Sequence, residues 1–205
     1  MKRNIIIQYV ISIVSLILLT GVAFSDGGAA KITGTVDAKI PKFKANTVVY
    51  IETVEGDYSA PEEHAVMDQK DITFIPHVLP IVQGTVVDYH NSDEVLHNVH
   101  TTDACAQKFN LGTWPKGEIR SYQYNEIGCH AVMLCNVHPE MEAYIIVLQN
   151  PYFAVTDKNG EFTIDHVPPG TYILKVWNER YSNTPTQEIT VSDGKTVEVT
   201  FTLVK

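Results

Sequence analysis

Basic residues are scarce in this 205-residue chain: Lys and Arg total 15 against 24 Asp and Glu, a net charge of -9. That balance leaves no basic face for nucleic acid. Cysteine is scarcer still. Three cysteines are too few for a disulfide scaffold, and the count is odd. Helical periodicity is nearly absent after residue 30, and no long low-complexity segment occurs there. There is no Gly-rich phosphate loop and no Gly-x-Ser-x-Gly elbow. What the chain does have is apolar material, 44% of its residues. That suffices for one large or two small cores and excludes a disordered, collagen-like or multi-span membrane protein.

One apolar run stands apart, at the amino terminus. Lys2 and Arg3 precede Ile5 to Val22, and Ala23-Phe24-Ser25 offers small residues for cleavage. This predicts a secretory signal peptide over residues 1–25, cut near Ser25, and a periplasmic or secreted mature protein. The alternative is an uncleaved anchor, which would be the chain's single membrane contact. No Cys lies near residue 25, so a lipid anchor is not expected. Loss of Lys2 and Arg3 would take the net charge from -9 to -11 and leave 180 residues in an oxidising compartment.

Short alternating runs fill the rest. Lys31 to Val36, Thr47 to Glu52, Thr85 to Tyr89, Glu142 to Leu148, Glu161 to Ile164, Tyr172 to Trp177, Glu188 to Val191 and Thr196 to Leu203 predict strands. Lys158-Asn159-Gly160, Pro168-Pro169-Gly170 and Asp193-Gly194 separate them as turns. The fold class is therefore all-β. Glu55 to Glu63 is acidic and carries Pro61, so it reads as a linker or surface loop. Phe153 to Trp177 reads as a hairpin, a tight Pro-Pro-Gly turn and a further strand.

That tail resembles the carboxypeptidase regulatory-like domain, a small prealbumin-like β-sandwich. The resemblance implies two opening strands, matched by Ile32 to Val36 and Thr47 to Ile51, with the Thr156-Asp157-x-x-Gly160-x-Phe162 hairpin soon after. Here about a hundred residues intervene. The expectation is a discontinuous sandwich, residues 31–56 and 150–205, with a second domain over 64–149. The alternative assigns the early strands to the middle domain.

The middle segment holds the chemistry. Cys135-Asn136-Val137-His138-Pro139-Glu140-Met141 places a thiol, an imidazole and a thioether within seven residues, and His97 lies 38 residues upstream of Cys135. Two imidazoles, a thiolate and a weak thioether form the ligand set of a blue-copper site. His100 follows His97 by three and faces the other way in a strand. Cys129 and His130 lie six and five residues before Cys135, too far along a strand to share its ion. Met133 reads as core, and His77, His90 and His166 as turn or edge residues.

Phe74-Ile75-Pro76, Val82 to Tyr89, Asn91-Ser92-Asp93, His97-Asn98-Val99 and the Cys135 loop together resemble a cupredoxin of the plastocyanin, pseudoazurin and amicyanin group. The short Cys-x2-His-x2-Met loop looks most like amicyanin. The whole chain resembles the methylamine-utilisation or plastocyanin-like proteins that join two such modules. The resemblance implies a Greek-key β-sandwich binding one copper ion that cycles between Cu(I) and Cu(II). His97, Cys135 and His138 would be strong ligands and Met141 the axial one. Asn98 would tie the ligand loops beside the sulfur, and Pro139 would shape the short loop or simply fill a turn. The implied function is electron transfer to a redox protein such as a cytochrome, rather than catalysis. Copper delivery, or a binding module with a vestigial site, are the alternatives.

With Cys135 assigned to metal, the odd cysteine count becomes one plus two. Export then favours a Cys105–Cys129 disulfide, the alternative being two free thiols. Seven acids between Glu52 and Asp71, opposed only by Lys70, read either as a solvated loop or as steering for a basic partner. Oligomeric state has no signature in the sequence.

Overall fold

The structure is a computed structural model that describes residues 30–182 and 185–204. The signal peptide expected over residues 1–25 lies outside the described residues. Sixteen strands follow in chain order: β1 (Ala30–Ala38), β2 (Val48–Ile51), β3 (Ala65–Lys70), β4 (Thr73–Ile75), β5 (Val78–Val82), β6 (Val86–Asn91), β7 (His97–His100), β8 (Asn110–Trp114), β9 (Ile119–Gln123), β10 (His130–Leu134), β11 (Glu142–Leu148), β12 (Phe153–Val155), β13 (Glu161–Val167), β14 (Gly170–Trp177), β15 (Thr186–Val191) and β16 (Thr196–Leu203). Among the described residues the only helical turns are 3-10 turns at Pro41–Phe43 and Ala104–Ala106.

The strands form four sheets in two sandwiches. One sandwich faces β13-β1-β16 against β12-β2-β14-β15. Alternation explains it: β16 turns Val199, Phe201 and Leu203 inward and leaves Thr and Glu outward. These meet Ile32, Val36, Ile164, Leu174 and Val176 in one core. Each such side chain, fully buried, contributes about 2 kcal/mol of transfer free energy. Gly34 lies opposite Val199 in the β1–β16 ladder, and a Cβ there would stand 2.1 Å from the Val199 carbonyl oxygen. Only glycine permits that approach.

Phe153 to Val167 corrects one expectation. The segment turns at Asp157, whose carbonyl accepts the Gly160 amide at 3.0 Å, but it is not a paired hairpin. β12 pairs with β2, whereas β13 pairs with β1 in the opposite sheet. Phe162 and Ile164 must face Leu174 and Val176 across the core. The chain therefore arches from sheet to sheet, and it crosses back at Pro168-Pro169.

The second sandwich places β4-β3-β6-β9 over β5-β11-β10-β7-β8. Its core includes Met67, Phe74, Tyr89, Trp114, Met133 and Ile145. Chain crossings between the sandwiches sit together. Asn150 donates its side-chain amide to the Ile51 carbonyl at 3.0 Å, and Gln149 exchanges two hydrogen bonds with the Val54 backbone, both 3.1 Å. A third apolar cluster, Val48, Val78, Ile146 and Leu148 with Tyr50, Tyr144, Phe153 and Trp177, joins the two sandwiches.

Candidate metal centre

β7 and β10 are antiparallel neighbours, with Leu134 opposite His100. His97 opens β7, and Cys135 follows the last residue of β10, so the register brings both to one end of the sheet. The chain then reverses over six residues and re-enters the sheet as β11. The Met141 amide donates to the His138 carbonyl at 3.0 Å and closes that loop as a tight turn.

His97, Cys135 and His138 are brought together, and among the described residues theirs is the one His/Cys/Asp/Glu cluster able to hold a metal ion. Cys135 Sγ lies 3.9 Å from Nδ1 of each histidine, and the two Nδ1 atoms are 3.1 Å apart. Atoms so spaced could all reach one ion at ordinary metal–ligand lengths of about 2.0 to 2.3 Å. Met141 is buried in the same core cluster as Cys135. Two imidazoles and a thiol, with a thioether in the same cluster, form a donor set that would suit copper.

The surroundings orient these donors. His97 is fully buried and donates its Nε2–H to Asp93 Oδ2 at 2.8 Å. That bond fixes the tautomer and turns the Nδ1 lone pair inward. Two imidazole lone pairs and a thiolate then converge, an arrangement that a cation stabilises. Asp93 itself accepts the amides of Asp71 at 2.7 Å and Ile72 at 3.0 Å. Burial opposes its charge, but the Ile72 amide, the His97 ring and the Asp71 amide outweigh it and hold the carboxyl below its usual range.

Asn98 ties three segments at once. Its backbone N–H donates to Cys135 Sγ at 3.4 Å, and its Oδ1 accepts the Asn136 amide at 3.2 Å. Its Nδ2 donates to the Gly112 carbonyl at 2.6 Å and to Asn110 Oδ1 at 2.8 Å. A hydrogen bond to a thiolate withdraws electron density from sulfur and so tunes the metal it binds. Pro139 is exposed between His138 and Met141.

Other sequence candidates fall elsewhere. Cys105 and Cys129 are joined in a disulfide, Cα atoms 5.4 Å apart, and Cys135 is the free cysteine. Met133 is core, and its sulfur lies 3.2 Å from both the Tyr89 and Tyr124 hydroxyls, which share a hydrogen bond of 2.5 Å, so one of them donates to the other and the second to the sulfur. His64, in the acidic loop, pairs with Asp88 at 3.0 Å. His77 lies in the bend before edge strand β5, as a turn or edge residue, and there it also bridges the sandwiches: it touches the Glu142 carbonyl and Glu179, each at 3.1 Å. The sequence analysis missed the roles of Asp93 and His77. An Asp four residues before a ligand His is the signal that could have found Asp93. His77 has no local signal, because its partners lie 65 and 102 residues away.

In comparison with known proteins, residues 140–204 match the model of the carboxypeptidase regulatory-like domain. That stretch holds β12 to β16, whose sheets β1 and β2 complete, and also β11, a strand of the other sandwich. No curated protein matches the chain. A reduced amicyanin variant is similar at 20% identity over 50% of this chain and 98% of its own, TM-score 0.39. The purple cupredoxin from Nitrosopumilus maritimus is 23% identical over 40% of this chain and 98% of its own, TM-score 0.36. A copper-containing nitrite reductase from Thermus scotoductus SA-01 is 23% identical over 47% of this chain but only 25% of its own, TM-score 0.39. The chain contains a carboxypeptidase regulatory-like domain over residues 140–204, and solved structures that resemble another part of it include amicyanin, a purple cupredoxin and a copper-containing nitrite reductase.

Proposed function

We propose that this is an exported mononuclear type 1 copper protein that carries electrons, its copper domain over residues 64–149 inserted into a regulatory-like sandwich of residues 31–56 and 150–205. The convergence of His97 Nδ1, Cys135 Sγ and His138 Nδ1 within 3.9 Å of one another is the observation that carries it. Copper in such a site supplies a one-electron couple, soft sulfur favouring Cu(I) and imidazole accommodating both states. Met141 is the axial donor in this reading.

The chain's own part is rigidity. Asp93 locks His97, Asn98 locks Cys135 and the Met141 turn locks His138. Ligands held this firmly change little when an electron arrives or leaves. His138 is only half-buried, whereas His97 is sealed in, so electrons would pass through the His138 edge. The partner is a redox protein such as a cytochrome, and the acids of residues 52–71 suit a basic one. The place of action is the periplasm or outside the cell. We read the chain as a carrier and not a catalyst.

An absorption spectrum of the copper-loaded protein tests this. An intense visible thiolate-to-copper band is expected in the natural chain, and Cys135→Ser should abolish it while sparing the fold. A well-folded protein that takes up stoichiometric copper without that band would overturn the proposal.

A further inference from the structure

We propose that the regulatory-like sandwich acts as a brace for the metal loop, through Glu179 and His77 as positioning residues for Met141. This rests on the reading of Met141 as axial donor.

The contact is a polar bridge set into the seam between the sandwiches. Glu179 follows β14 of the regulatory-like sandwich, and His77 lies between β4 and β5 of the other. His77 Nε2 meets Glu179 Oε2 at 3.1 Å, and its Nδ1 meets the Glu142 carbonyl at 3.1 Å. A carboxylate and a carbonyl only accept, so whichever ring nitrogen carries a proton has an acceptor in place. The His77 carbonyl in turn accepts the Tyr144 amide at 2.9 Å. One residue thus grips the opening residues of β11 along one edge.

That stretch continues directly from Met141. Glu142 pairs with Leu134 on its other flank, and Leu134 precedes Cys135. The brace therefore bears on the residues adjoining both sulfur donors. Its surroundings leave the His77 ring little room to swing. Tyr144 packs edge-on against it at 5.5 Å, Trp177 lies 5.2 Å beyond Tyr144, and the Tyr144 hydroxyl donates to Glu142 Oε1 at 2.5 Å. Arg180 Nε, 3.5 Å from Glu179 Oε1, is the neighbouring cation. Glu179 keeps a side chain only 14% exposed, so its bond is not a solvent-screened surface pair.

The sandwich thus has a task beyond filling space. Losing the Glu179 bond frees His77, slackens the start of β11 and lets the Met141 sulfur withdraw. A weaker axial donor favours Cu(I), so the potential rises.

The test uses the full copper-loaded chain, with the visible spectrum and the midpoint potential as readouts. Glu179→Ala should shift the ratio of Cu(II) to Cu(I) affinity about threefold toward Cu(I), ~28 mV at 59 mV per tenfold for one electron. Glu179→Gln removes the charge but keeps an acceptor, and should stay near the natural chain. In a Met141→Leu background, Glu179→Ala should add nothing, because the group it positions is gone. His77→Leu, which breaks both bonds at similar bulk, should shift the potential the same way and serves if the alanine variant fails to fold. Equal shifts for Gln and Ala would mean a field effect and overturn the brace. So would an undiminished Ala shift beside Met141→Leu, or no shift in either Glu179→Ala or His77→Leu. A natural chain lacking the thiolate-to-copper band would instead overturn the copper reading itself.

Discussion

Replacing both bridge cysteines, Cys105→Ala with Cys129→Ala, should weaken the fold strongly and leave the copper spectrum alone. The two sulfurs close a loop of sequence separation 24 that holds β8 and β9. The chain-entropy relation for a loop of about 25 residues gives roughly 3.5 kcal/mol at 25 °C. Native contacts lose less. Cys129 is buried, but Ala106 and Tyr122 stay tied by the Tyr122 hydroxyl on the Ala106 carbonyl at 2.8 Å. Urea unfolding of the metal-free protein is the assay, because bound metal would add its own stabilisation. Trp114, fully buried in the same core, reports the transition by fluorescence. At an m-value of about 2 kcal/mol/M the midpoint should fall by about 1.8 M. A loss under about 1 kcal/mol would refute the claim that the bridge works by restricting the unfolded chain. The copper arm tests the division of the cysteines: if removing Cys129 erased the visible band as fully as Cys135→Ser, Cys135 would not be the thiolate ligand.

Other perturbations probe separate bonds. Asp93→Asn keeps an acceptor for His97 but removes the charge behind it, and should weaken copper affinity about 10-fold or more in a competition titration. Asp88 is held below its ordinary value of 3.8: burial opposes this, but the Ser121 and His64 hydrogen bonds outweigh it. Its stabilisation is therefore complete above pH 3.8 and lost as pH falls through the lower folded value, so Asp88→Asn should flatten the decline of Tm in that acid range. Tyr89→Phe breaks the hydroxyl–hydroxyl bond to Tyr124, leaves Tyr124 the Met133 sulfur as partner, and should cost about 1 kcal/mol in denaturant unfolding, with the visible band kept.

The sequence carried the outer architecture better than the inner. β1, β14 and β16 announce themselves by eight or nine residues of alternation, because one face of each is core and the other is largely solvent, whereas β11 shows as an apolar run because both its faces are buried. β4, β7 and β12 run three or four residues, too short for a period to register. β5 hides behind Pro80, which is tolerated because β5 is the edge of its sheet. At the metal centre, residue types and spacing pointed to His97, Cys135 and His138, which the fold brings together. What spacing could not convey was support from afar. His77 and Glu179 meet across 102 residues, and the arch at Asp157 depends on which sheet has room for each strand.

The β1–β16 ladder has a consequence for the order in which the chain can fold. It joins residues 165 positions apart, Lys31 with Thr196 through Ala38 with Leu203. The intervening sandwich contains nearly all its own pairing partners, so it can condense while β1 still waits. Contacts of such long range form slowly, since loop closure precedes any reward. On refolding, amides of β6, β10 and β11 should therefore gain protection from hydrogen exchange before those of β1 and β16. Simultaneous protection of all five would contradict this order. The metal pocket would thus be assembled early, and the sandwich that carries both ends of the described chain would close last.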